Sequence, residues 1–276
     1  MIQLIVNADD LGSGPERDRG IFRCFEQGIV TSVSLLANGP HFTEATREAL
    51  RLGMPLGVHL NLSEGRALTG VIAGLTDEGG GFSGKPELRR ILAAGDFDRQ
   101  GARRELAAQI DRVRQAGLTP DHLDSHQHFL LFSAVTELVL DLARDEGIRA
   151  LRRPLPAEDP RRDPPPPLGD ELALYRRLAP AVSALIDGAG FFAPQGLWGM
   201  TILDRLDNQA LLAVLEEMPD GVWELMVHPG YRDAGQPFSG PERVREILAL
   251  TDPRMTRLVC EKEIHLTHFG ACACAS

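Results

Sequence analysis

Residues 2–12 read Ile2-Gln3-Leu4-Ile5-Val6-Asn7-Ala8-Asp9-Asp10-Leu11-Gly12. Ile2 to Val6 is an apolar run suited to a buried strand, and it runs out onto two adjacent acids and a glycine, a composition that suits a turn. Beyond it, a helical pattern over 16–27 is followed by a strand at 32–36, a helix over 42–52 and a strand at 56–60. The rhythm resumes with a helix over 99–116, a strand opening at His122, a helix over 133–146 ending at Gly147, and a strand at 148–151. Helices over 170–186 and 204–218, strands at 190–193 and 222–227, two helices over 241–250 and 254–260 and a last strand at 264–267 complete it. Short apolar runs alternating with longer amphipathic ones specify parallel strands joined by crossover helices. The expected fold is one α/β domain over residues 1–276, a distorted β/α (TIM-like) barrel of about seven or eight mostly parallel strands. Residues 70–98 (Gly-rich) and 154–170 (Pro-rich) break the rhythm and read as insertions at a pocket rim, and 271–276 read as a flexible tail.

Composition narrows the function classes. With 29 basic and 39 acidic residues the net charge is −10, which disfavours nucleic acid and anionic membrane as partners. No apolar run approaches a membrane span, and the N-terminal run lacks the basic segment of a signal peptide. Of the four cysteines, Cys24 and Cys260 stand alone while Cys272 and Cys274 sit close together, which suits a reducing cytoplasm. Whether the chain forms a homo-oligomer is left open.

The chemistry lies in where Asp and His fall relative to the strands. Asp9 and Asp10 follow the first strand, His59 and Asn61 end the third, Asp124, His126 and His128 follow the fourth, and His228 ends the seventh. In a parallel barrel the carboxyl ends of the strands converge on one face, which carries the active site. One Asp and two His could bind a divalent ion and leave a position open for water. A second carboxylate beside them could take the water's proton, and His228 could serve a departing amine. Alternation along a strand would send one member of Asp9-Asp10 to the metal and leave the other beside it, and two-residue spacing would place His126 and His128 on one side of an extended chain. Each signal alone has a bland reading: an acid pair after a strand is usually a turn or a helix cap. His41, His122, His265 and His268 read as structural or exposed, and Gly12 and Gly14 do not complete a dinucleotide fingerprint.

Asn7-Ala8-Asp9-Asp10-Leu11-Gly12, Gly57-Val58-His59-Leu60-Asn61-Leu62, His122-Leu123-Asp124-Ser125-His126-Gln127-His128 and Val227-His228-Pro229-Gly230 together resemble, in order and over nearly the whole chain, the YdjC-like carbohydrate deacetylases. The resemblance implies a distorted barrel that hydrolyses the acetamide of N-acetylglucosamine-type sugars with one divalent metal. Carried over by motif, Asp10, His59 and His126 are the ligands, Asp9 is the general base, and His228 assists the leaving amine or binds substrate. Asn61, His128 and Arg152 are candidate substrate contacts. Leu11, Asp18 and Leu130 depart from the family's usual residues, at positions expected to touch the pocket rim. Two imidazoles and one carboxylate favour Zn2+ on ligand softness, with Mg2+ open. Two rivals stand beside this reading. One is a phosphoesterase, which would need a basic clamp such as Arg149, Arg152 and Arg153. The other is a sugar-binding protein without turnover.

Overall fold

The computed structural model describes residues 1–275. Its strands are β1 (Ile2–Leu11), β2 (Ser32–Leu35), β3 (Leu56–Leu60), β4 (His122–Ser125), β5 (Ala150–Leu151), β6 (Leu197–Trp198), β7 (Gly221–Val227) and β8 (His265–Thr267). The helices are α1 (Pro15–Gln27), α2 (Phe42–Leu52), α3 (Lys85–Ala94), α4 (Arg99–Gln115), α5 (Ser133–Asp145), α6 (Leu168–Ala189), α7 (Asn208–Glu217), α8 (Pro241–Leu250), α9 (Pro253–Glu261) and α10 (Phe269–Ala275). The strands pair in parallel in the order β5-β4-β3-β2-β1-β7-β6. Strand β8 adds to β1 over Gln3–Ile5, below the stretch from Asn7 onward that pairs with β2. Backbone bridges Ala150↔Phe192 and Pro156↔Leu197 join the two ends, so the curled sheet is a distorted barrel. Among the described residues no helix is long and apolar enough to cross a membrane.

Side-chain alternation divides the barrel wall into two unlike faces. Leu4, Val6, Ala8, Val33, Leu35, Leu56, Val58, Leu60 and Leu123 belong to the main apolar core under the helices. The intervening positions carry Asn7, Asp9, Ser34, His59, His122, Asp124, Arg152 and Glu224, all buried and hydrogen-bonded or ion-paired to one another. The interior of the barrel is therefore polar, unlike the aliphatic layers that usually fill this fold.

Three expectations change. The strand foreseen at 190–193 survives only as the bridge at Phe192, because Pro194 interrupts the run and the ladder with β7 resumes at Gln195, whose N–H donates to Val222 O at 2.8 Å. The Gly-rich segment holds helix α3, with Pro86 in its first turn and left-handed Gly95 (φ 72°) ending it. Residues 271–275 are not a loose tail but part of α10, whose Phe269 is fully buried against Ile5 and Ala150, closing the barrel floor. Ser276 lies outside the described residues.

Gly57 shows how tightly the interior is filled. A Cβ there would sit 2.5 Å from the His122 ring, which is itself stacked on Phe269 at 3.9 Å and cannot withdraw. Gly57→Ala is expected to destabilise the fold by ~1–3 kcal/mol through overpacking, read as a lower midpoint in denaturant unfolding.

Candidate active site

Regular alternation would point Asp10 away from Asp9, out of the barrel. The β1–β2 register, Ala8↔Val33 and then Leu11↔Leu35, contains one extra residue on β1, and Asp10 within it has a left-handed φ of 67°. This bulge turns the second carboxylate back so that both acids line one pocket, and Asp is one of the few non-glycine residues that tolerates that conformation. The pair works by a break in alternation rather than by alternation. His126 and His128 likewise share the pocket although the chain there is not extended: it turns into a 3-10 helix (His126–Leu131) with Gln127 and His128 at φ 57°.

The ligand atoms of Asp10, His59 and His126 lie within 4.8 Å of one another. Asp10 Oδ1 is 3.5 Å from His59 Nε2 and 3.1 Å from His126 Nδ1. Bonds of ~2.0–2.1 Å to a tetrahedral ion place donors about 3.3 Å apart, so the spacing fits a single cation. Asp10 Oδ1 is moreover buried without a hydrogen-bond partner. Each histidine turns its other nitrogen to a carboxylate: His59 Nδ1 lies 2.8 Å from buried Asp124, and His126 Nε2 lies 3.3 Å from Glu64, which is 52% exposed. Such outer partners orient an imidazole and raise its basicity.

Asp9, Asp124 and His59 form a second cluster, but its cation is already present in the chain. The Arg152 guanidinium holds both oxygens of Asp9 (2.7 and 2.6 Å), Asp124 Oδ2 (2.7 Å) and Glu224 Oε1 (2.6 Å). Burial alone would raise the Asp9 carboxyl, but the charge and hydrogen bonds of Arg152 outweigh it, with His59 adding to them, and hold it below the usual carboxylate range. Burial is likewise overcome at Asp124 by Arg152 and His59, whereas at Glu224 burial prevails and the carboxyl is raised. His59 is pulled down by burial but lifted further by Asp124 and Asp9, to about 10.

His228 follows β7 and places Nε2 3.9 Å from Asp9 Oδ2. Its backbone is clamped, N–H donating to Glu246 (2.5 Å) and carbonyl accepting from Arg17 (2.5 Å). Burial pushes its ring down to about 3, past the opposing pull of Asp10 and Asp9, so it is neutral at pH 7. These groups open onto a pocket of about 170 Å3, walled on one side by Leu168, Leu172, Met200, Leu203 and Met226 and edged by Lys85, Glu171 and Phe238.

The YdjC-like protein family model matches residues 3–261 of this chain. The chain belongs to the YdjC-like family. A relative named carbohydrate deacetylase from Mus musculus is 34% identical, with 96% of this chain and 93% of the relative covered. Another of that name, from Geobacillus stearothermophilus, is 32% identical over 95% of this chain and 94% of its own length. The crystal structure of protein EF3048 of Enterococcus faecalis V583, 24% identical, superposes with a TM-score of 0.76 over 98% of each chain and shares the fold.

In this YdjC-like chain the structure brings Asp9, Asp10, His59, His126, His128 and His228 to one pocket and leaves two foreseen contacts outside it. Arg152 is 1% exposed and its guanidinium is committed to carboxylates, so it has no donor to offer a sugar. Asn61 uses its side chain within its own loop, accepting from the Ser63 and Glu64 N–H groups and donating to Asn38 and Glu64 O; it fixes the turn that presents Glu64. Leu11 and Leu130 are buried away from the rim, and Asp18 holds the Gly12 N–H (2.7 Å) and His41 (2.6 Å). The sequence reading passed over Glu64, Lys85 and Glu224. Glu64 lies three residues past the Asn61 motif, Lys85 lies in a segment read as loop, and Glu224 sits one alternation above Met226 in a strand read as apolar.

Two outcomes follow for metal binding. Asp124→Asn is expected to weaken Zn2+ affinity by roughly 10–100-fold in a competition titration, the usual effect of removing an imidazole's outer partner, with Glu64→Gln the milder change because water can replace an exposed carboxylate. Without metal, His59 keeps its proton up to about pH 10, and a cation must displace it. Affinity should therefore rise with pH through neutrality, and calorimetry in buffers of different ionisation heat should show proton release at pH 7.

Proposed function

We propose that the protein is a metal-dependent hydrolase that removes the acetyl group from N-acetylglucosamine-type sugars or oligosaccharides. One observation carries this reading: an ionised carboxylate outside the Asp10–His59–His126 cluster, Asp9, whose own cluster is already filled by the Arg152 guanidinium, lies between those three residues and His228 in the same pocket. A protein that only bound sugar would gain nothing from a base held there. The carbohydrate deacetylases of mouse and Geobacillus, similar over almost the whole chain, support the same reading.

Asp10, His59 and His126 would hold the ion, with Zn2+ favoured by two imidazoles and Mg2+ the alternative. When bound, a divalent ion would polarise the amide carbonyl and acidify a water molecule. Asp9, kept ionised and held by Arg152, would serve as the base that accepts a proton from water, at Oδ2. His228 is neutral at rest and cannot begin as the acid. It lies 3.9 Å from Asp9 Oδ2, a placement suited to passing the same proton to the departing amine. The apolar wall suits the acetyl methyl and the flat face of a sugar ring, and His128 and Lys85 are placed for hydroxyls. The clamp foreseen for a phosphoesterase is not at this pocket: Arg152 is engaged by carboxylates, Arg153 by Pro194 O and Asp187, and Arg149 is exposed beside a separate cavity. A reducing, cytoplasmic setting and a free acetylated sugar as partner accompany the proposal.

Acetate release from acetylated mono- and oligosaccharides is the direct test, and binding of N-acetylglucosamine oligomers without acetate release by the metal-loaded protein would sink it. Asp9→Asn should retain metal and lose roughly 10²–10⁴-fold in kcat, the range for a lost general base, whereas His126→Ala should lose the metal. Equal metal loss in both variants would overturn this division of roles.

A further inference from the structure

A continuous line of hydrogen bonds descends from Asp9 to the barrel floor. Asn7 Nδ2 donates to Asp9 Oδ1 (2.8 Å) and to Ser34 Oγ (2.8 Å), so both of its hydrogens are committed. Ser34 Oγ lies 3.3 Å from His122 Nε2, and His122 Nδ1 lies 2.7 Å from Asp121 Oδ1. Asn7, Ser34 and His122 are fully buried. Below them, Asp121 Oδ2 accepts the Gly270 N–H (2.9 Å) and meets His268 Nδ1 (3.0 Å), and Phe269 stacks on the His122 ring at 3.9 Å with an interplanar angle of 18°.

Donor and acceptor accounting sets the direction of the whole line. The Asp121 carboxylate can only accept, so His122 Nδ1 donates to it, and in a singly protonated ring Nε2 accepts the hydrogen of Ser34 Oγ, which itself accepts from Asn7. The ring proton then sits on Nδ1 and points to the Asp121 carboxylate. This arrangement pairs Ser34 Oγ and both ring nitrogens of His122, and an unmatched buried donor or acceptor costs ~1–3 kcal/mol.

We propose that His122 is a positioning residue for Asp9, acting through Ser34 and Asn7, with the 268–270 segment holding Asp121 at the far end of the line. The Asp121–His122–Ser34 arrangement looks like a nucleophilic triad, but Ser34 is fully buried and does not line the pocket, so orientation is the role its burial allows. Arg152 grips Asp9 from one side and Asn7 from the other, and the second grip is only as firm as the line behind it.

This inference rests on the deacetylase reading for its kinetic arm. Ser34→Ala removes the middle of the line with little change in volume, and His122→Phe keeps a ring against Phe269 while removing both hydrogen bonds. Each is expected to lower kcat about ten-fold or more, as misplacement of a reacting group does, with KM and metal affinity unchanged. The double variant should be no worse than either single one, since both break one line. Wild-type kcat in Ser34→Ala, additive losses, or a parallel loss of metal affinity would overturn the proposal. Two readouts need no substrate. The 15N NMR signals of His122 should report a neutral ring protonated at Nδ1, and the Asn7 carboxamide protons should exchange faster with solvent in Ser34→Ala than in the wild type. A His122 ring protonated at Nε2, or unchanged Asn7 exchange, would overturn it. An inactive wild-type enzyme with both NMR results as expected would instead count against the deacetylase reading alone.

Discussion

The arrangement turns on the burial of Arg152 among Asp9, Asp124 and Glu224. One guanidinium at 1% exposure is shared by three carboxylates: it holds Asp9 and Asp124 below the usual range, while burial raises Glu224. Removing it would strand like charges in the barrel, a change of the kind that costs ~3–5 kcal/mol when a buried pair is broken. The same planar fork bonds both oxygens of Asp9 and also fixes Asp124 Oδ2, the oxygen that orients His59. Asp9 and, through Asp124, His59 are thus aligned by a single side chain that does not line the pocket.

This cluster explains why the barrel is built inside out relative to the common aliphatic pattern. Packing stability comes from the outward face of the strands against the helices, with Leu4, Val6, Val33, Val58 and Leu123 in that layer. The inward face is free to carry hydrogen bonds, provided every one is satisfied. Glycine at position 57 is part of that provision, since only the absence of a side chain leaves room for the His122 ring.

Much of this was legible from residue order. The run from Ile2, the strand at Leu56–Leu60 and the helix at Phe42–Leu52 read correctly because their apolar spacing is regular and their ends carry turn residues. Asp9, Asp10, His59, His126 and His228 were placed together by the strand-end rule of parallel sheets. What could not be read depends on contacts across the barrel. The bulge that redirects Asp10 needs the β2 register, and the engagement of Arg152 needs three carboxylates distant in sequence. Helix α10 is short and made of small residues, so only its packing on the floor distinguishes it from a tail.

The two histidines of the cluster have unequal backing, Asp124 sealed inside the barrel and Glu64 half open to water. A proposed ion would therefore exchange with solution from the Glu64 side, since the His59 side chain is 2% exposed and His126 13%. If the cluster holds an ion as proposed, its exchange would be governed from the rim, by a loop whose turn Asn61 ties down, while His59 stays aligned by its sealed partner.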